Sequence, residues 1–156
     1  MKRIMSIMLA LILLISTGSI VSAENPYAEQ AEFLNKLGVL LGDENGNLNL
    51  DGKLTREQMV VLISRLYGKE DTAKNYQGVN VFKDLGSKQS YYIPYILWAK
   101  NEGLIVGMSS TQFGFGQTVT VQQFQTVLLR ALGYNEEAKN WSNVPTIAQN
   151  LGIMKG

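Results

Sequence analysis

At 156 residues, 46% of them hydrophobic and 17% charged, the chain carries enough apolar material for one modest core and too little for two large domains. Its 14 cationic and 13 acidic side chains nearly cancel, which excludes nucleic acid or anionic lipid as partners drawn in by bulk charge. Cysteine and histidine are both absent, so disulfides, thiolate nucleophiles, imidazole bases and the commonest zinc ligands are excluded together, and no cofactor is expected.

Residues 1–23 read as a signal peptide. Lys2 and Arg3 precede an apolar run from Ile4 to Ile15, broken only by Ser6, and the small residues Val21-Ser22-Ala23 close it. The run is shorter than the ~20 residues a membrane span needs, so cleavage after Ala23 is expected, with no membrane association afterwards. Removing Lys2 and Arg3 from the 14 cationic residues leaves 12 against 13 acidic ones.

The apolar spacing of Tyr27, Ala31, Leu34, Leu37, Val39 and Leu41 predicts a first helix over Tyr27–Leu41, ended by Gly42. Asp43 to Lys53 is a loop of Asn, Asp and Gly in which Leu48 and Leu50 tuck back onto the core. Thr55 then opens a second helix, its hydroxyl capping Gln58 while the Gln58 side chain reaches back. Met59, Leu62, Ile63 and Leu66 give that helix an apolar stripe. Lys69 to Gly78 is a polar connector, and Val79 to Leu85 is expected to be a short extended piece. Tyr91 to Glu102 reads as the next helix, with Tyr92, Tyr95, Ile96 and Ala99 on one face and Pro94 in its first turn. Thr120 and Gln123 repeat the capping pair, and Phe124, Val127, Leu128 and Ala131 repeat the stripe. A second polar connector leads to Trp141. A last short helix is expected over Pro145 to Leu151, and the C-terminal segment Pro145 to Gly156 is expected to be the least protected.

The chain is internally repetitive. Gly38–Gly68 recurs sixty-five positions later as Gly103–Gly133, keeping both glycines of the first cluster, an apolar pair, Thr, Gln, Arg and the closing Gly in register. A third copy begins at Leu151-Gly152-Ile153-Met154-Lys155-Gly156. Self-similarity at a fixed period marks stacked supersecondary units that cannot bury their apolar faces alone. An all-α domain of about two and a half helix-loop-helix units follows, with repeats over 24–78 and 79–140 and a partial one over 141–156.

The loop Asn47-x-Asn49-x-Asp51-Gly52-x-Leu54, followed by Gln58, imitates a calcium loop, including its sixth-place glycine. It has Asn for Asp at the first place and Gln for the bidentate Glu at the twelfth, and the second copy offers Gln112, Gly114 and Gly116 instead. No metal site is expected. Enzyme chemistry is not expected either, because the carboxylate pairs Asp43-Glu44, Glu70-Asp71 and Glu136-Glu137 lie in polar connectors. Binding remains. Arg56, Asp84 and the aromatics Tyr91, Tyr92, Trp98 and Trp141 are the polar and flat groups that sugar recognition uses, with ordinary core packing the alternative for Tyr92 and Trp98.

At these residues the chain resembles the S-layer homology (SLH) domain family of bacterial surface proteins. The resemblance is carried by Phe82-x-Asp84, Tyr92, Ile96-x-x-Ala99-x-x-x-Gly103-Leu104-x-x-Gly107 and Phe113-x-Phe115 in the second copy. Leu54-Thr55-Arg56-Glu57 supplies the remaining motif in the first copy, and Trp141 with Ala148-x-x-x-Gly152-Ile153-x-x-Gly156 opens the third. Val121-Gln122 stand where the family has Arg-Glu. The resemblance implies a pseudo-three-fold bundle of helices and non-covalent attachment to secondary cell-wall polysaccharide, linked to peptidoglycan and often pyruvylated. It implies a secreted protein of the bacterial cell wall or surface. By the same resemblance the glycan-binding set is Arg56, Asp84, Tyr92, Trp141 and Gly107. A secreted structural or protein-interaction module on the same scaffold, without glycan binding, is the second reading.

Overall fold

A computed structural model describes residues 25–43 and 45–153. The expected leader and the last three residues of the third copy lie outside the described residues. Among the described residues six α-helices follow in order: α1 Ala28–Lys36, α2 Arg56–Leu66, α3 Glu70–Lys74, α4 Ile93–Asn101, α5 Val121–Ala131 and α6 Val144–Asn150. Single 3-10 turns occupy Ser87–Gln89, Glu137–Lys139 and Trp141–Asn143. Among the described residues there is no strand, only the isolated bridges Thr55–Thr118 and Ser109–Gln112, so the class is all-α.

Local chemistry sets most boundaries. Both long helices begin with the reciprocal cap: the Gln58 amide donates to Thr55 Oγ1 and the Thr55 amide to Gln58 Oε1, and Thr120 and Gln123 do the same. Helix α1 stops at Lys36, five residues before its predicted end, because Gly38 takes a φ of 71° that a side chain resists and its amide returns to the Asn35 carbonyl. Gly42 lies beyond, in the loop. The extended piece expected over Val79–Leu85 is a turn: Asn80 Oδ1 accepts from the Phe82 amide at 2.9 Å, and its Nδ2 donates to the Leu85 carbonyl at 3.2 Å. The calcium-like loop is gathered by Asp43, whose Oδ1 accepts from the Asn45 and Asn47 amides, both at 2.9 Å. Gln58, its twelfth place, is engaged in the cap.

The core centres on α4, where five consecutive residues, Tyr95 to Ala99, are buried. Helix α2 packs against α3, α4 and α5. That three-sided contact explains why its buried face is wider than the predicted stripe: Met59 and Ile63 are inside, but so are Val60, Val61 and Ser64, while Leu66 is 46% exposed. Trp98 and Phe113 are the largest fully buried side chains, and burying each contributes about 1.5–3 kcal/mol. The connector after α2 contains α3, anchored by the fully buried Ala73.

A second small cluster joins Leu129, Ala138 and Val144, flanked by Ile147 and Ile153, and docks α6 onto α5. Helix α1 is the loosely held one. It buries only Ala31 and leaves Phe33 and Leu37 about 60% exposed.

Candidate functional site

The cap at Thr55 fixes the first turn of α2 and turns its next two residues inward. The Arg56 amide donates to the Gln117 carbonyl at 2.9 Å. The Arg56 side chain, 7% exposed, donates from Nε to the Phe113 carbonyl at 2.9 Å and from Nη2 to the Val106 carbonyl at 3.0 Å. Its guanidinium carbon lies 5.0 Å from the centre of the Phe113 ring. Glu57 Oε2 accepts from the Gly116 amide at 3.0 Å. From the other side Asp84 accepts three amides: Phe113 at 2.8 Å on Oδ1, and Gly114 at 2.7 Å and Phe115 at 3.1 Å on Oδ2. The turn at residues 113–116 is thus clamped by three ionisable side chains acting on its backbone.

The electrostatics follow from this geometry. Burial works against the charged Asp84 carboxylate, and the amides of Phe113, Phe115 and Gly114 outweigh it, holding its pKa below the ordinary value. Burial lowers the Arg56 pKa, opposed by the charges of Asp84 and Glu57. Glycine is required beside this clamp. A Cβ on Gly114 would stand 2.7 Å from Met108 Cγ and 3.3 Å from Arg56 Cδ. One on Gly107 would collide with the Ser109 carbonyl oxygen and stand 2.5 Å from that of Gln112 and 2.7 Å from Phe82 Cε1.

Two clefts open beside α2 and α5. The larger, about 520 Å³, lies between the loop residues 39–43, 47–50 and 52–54, the α2 face Gln58, Val61, Leu62 and Arg65, and the rings of Tyr91 and Tyr92. The smaller, about 340 Å³, uses the corresponding α5 face Gln123, Thr126, Val127 and Arg130. Arg56, Gly107, Met108 and Trp141 complete its wall. Its described lining residues include three cations, Arg56, Arg130 and Lys139, and among them no carboxylate. Trp141, half exposed, offers a ring at the rim while its carbonyl accepts from Gln122 Nε2 at 2.6 Å.

The smaller cleft therefore brings Arg56, Gly107 and Trp141 together. Asp84 lies behind it, with both oxygens on backbone amides. Tyr92 is placed in the other cleft, edge-on to Phe115 with ring centres 5.6 Å apart. Trp98 is core, 1% exposed. Two residues outside the predicted set matter here. Glu57 was visible only as the end of Leu54-Thr55-Arg56-Glu57, and Arg130 only as the arginine that closes the long helix in both copies.

Residues 81–120 match the S-layer homology domain. That span runs from the Asn80 turn through Asp84, α4 and the clamped turn to the cap of α5. The chain is similar to the middle cell wall protein of Brevibacillus brevis, 31% identical over 111 residues, covering 70% of this chain and 10% of that one. It is similar to the surface layer protein of Brevibacillus choshinensis, 30% identical over 125 residues, covering 79% of this chain and 11% of that one. A cell surface protein of Thermoanaerobacter kivui is 27% identical over 137 residues, 87% of this chain and 18% of that one. The chain thus spans less than a fifth of the length of these relatives. No solved structure matches it.

Proposed function

Because the chain belongs to the S-layer homology family through residues 81–120, we propose that it is a non-catalytic, secreted module that attaches to the bacterial cell wall by binding a secondary cell-wall polysaccharide. The observation that carries this reading is the smaller cleft, where cationic groups and a half-exposed indole meet with no carboxylate among the described lining residues. An indole stacks on a sugar face, and guanidinium groups hold acidic substituents. The names of the three relatives, all wall or surface proteins, support the location.

The same reading takes residues 1–23 as a cleaved leader, 24–78 and 79–140 as tandem SLH-type repeats and 141–156 as the start of a third, arranged as a pseudo-three-fold bundle. The paired capping boxes and the corresponding faces of α2 and α5 in the two clefts support that arrangement.

The test is co-sedimentation with purified sacculi that retain their secondary polymer, against sacculi stripped of it. Trp141→Ala removes the exposed ring but keeps the carbonyl that Gln122 uses, so the fold persists. Loss of a stacked ring should weaken sedimentation by roughly three- to tenfold. Equal binding to stripped and intact sacculi, with Trp141→Ala behaving as the parent, would refute the glycan reading and favour a protein-interaction module.

A further inference from the structure

The arginines that close α2 and α5 occupy corresponding places in the two clefts, sixty-five residues apart, and differ in their partners. Arg65 Nε donates to Glu70 Oε1 at 2.9 Å, and Tyr95 Oη lies 3.4 Å from that same oxygen. The position corresponding to Glu70 in the second copy is Asn135. Arg130 donates only Nη1, to the Leu104 carbonyl at 3.2 Å, and among the described residues no carboxylate lies within 4.0 Å of it. Among those residues its Nε and Nη2 meet no acceptor. The other cations of the cleft are occupied: Arg56 holds two carbonyls, and Lys139 pairs with Glu136 at 2.6 Å on the exposed rim.

We propose that Arg130 is the specificity-determining residue of the smaller cleft, receiving a carboxylate or phosphate substituent of the bound saccharide on its Nε and Nη2 edge. The inference rests on the reading of that cleft as a saccharide site and adds which residue selects an acidic ligand. A planar guanidinium with two parallel donors matches an oxyanion in a way an ammonium does not. Partial burial strengthens such a contact by excluding water. Burial also lowers the Arg130 pKa. Its place in the last turn of α5, where carbonyl dipoles favour a cation, keeps it charged. The larger cleft carries the same arginine already neutralised by Glu70, so it lacks this selectivity.

The experiment installs the missing carboxylate. Asn135 is exposed, and Asn135→Glu places an internal partner beside Arg130 as Glu70 does beside Arg65. Arg130→Gln removes the charge directly. Binding of the whole chain to polymer-bearing sacculi is measured for the parent and both variants, with thermal midpoints to verify the fold. Each variant should lose roughly ten- to hundredfold in affinity. Sacculi whose carboxylates have been amidated with carbodiimide separate the two sources. If parent binding falls to the level of the variants, the ligand group is a carboxylate. If the gap between parent and variants persists, it is a phosphate. A parent that binds intact sacculi while both folded variants bind within twofold of it overturns the assignment of Arg130 and leaves the glycan reading standing. A parent that does not bind at all removes both.

Discussion

Asp84→Asn tests the clamp directly, because the substitution keeps shape and removes only charge and one acceptor. Asp84 presently accepts three amides, two of them on one oxygen. An asparagine retains one oxygen, so at best the bonds from Gly114 and Phe115 survive as neutral ones, while its NH2 faces the Phe113 amide, donor against donor. Losing one charge-assisted bond costs about 1.5–3 kcal/mol, and weakening two more adds to that. The total should be about 2–4 kcal/mol, which for a chain of this size lowers the thermal midpoint by roughly 4–16 °C. Urea unfolding followed by far-UV circular dichroism measures it, with Asp71→Asn as control. Asp71 is exposed and paired with Lys74 at 2.5 Å, so that change should stay within about 0.5 kcal/mol of the parent. If Asp84→Asn unfolds as close to the parent as the control does, the clamp is not what orders the turn.

Arg56→Ala should destabilise by about 2–4 kcal/mol, since two carbonyls lose a charged donor and Phe113 loses its cation, and Arg56→Lys should recover part of this; chemical denaturation reads both. Gly107→Ala should cost about 3 kcal/mol through the collision of its Cβ with two carbonyl oxygens, and a midpoint equal to the parent's would contradict the close approach. The lowered pKa of Asp84 means the unfolded chain binds its proton first as pH falls. Its stabilisation is therefore complete above the ordinary carboxylate value of 3.8 and is lost as pH falls below that, through the folded-state value. Denaturation from pH 7 to pH 2 should show a larger loss of stability in the parent than in Asp84→Asn, which keeps the other lowered carboxyls, Glu32, Asp43 and Asp71. Hydrogen exchange should be faster in α1 than in α6, reversing the order expected from sequence, because α6 buries Val144 and Ala148 completely and α1 buries only Ala31.

What was legible in the sequence was what local chemistry decides. Thr55 and Gln58 announce a helix start because cap donor and acceptor are three residues apart, and the second copy repeats the statement at Thr120 and Gln123. The stop of α1 falls five residues before the sequence places it, because Gly38 and Gly42 both take positive φ and only the return of the Gly38 amide to the Asn35 carbonyl distinguishes the one that ends the helix. Helix α3 was hidden because its charges resemble a solvated connector and a single alanine anchors it. The clamp was the least legible part. Arg56 and Asp84 stood out as ionisable residues, but their partners are main-chain groups 29 to 57 positions away, which carry no side-chain signature. A binding residue and a residue that holds a distant backbone look alike until those groups are located.

That distinction changes the meaning of the departure at Val121-Gln122. Arg56 and Glu57 act mainly on the backbone of residues 113–116, so this pair ties the first turn of α2 to that turn. At the corresponding place in the second copy, Gln122 reaches forward in the same direction and donates to the Trp141 carbonyl, a neutral bond in place of a charged clamp. Val121-Gln122 thus makes one neutral bond, to the Trp141 carbonyl, where Arg56-Glu57 makes charged ones to the turn at residues 113–116. It removes neither Arg130 nor Lys139 from the cleft that indole overlooks. Val121 and Gln122 leave the lining of that cleft in place, because the backbone contact and the cleft draw on different side chains of the same helix.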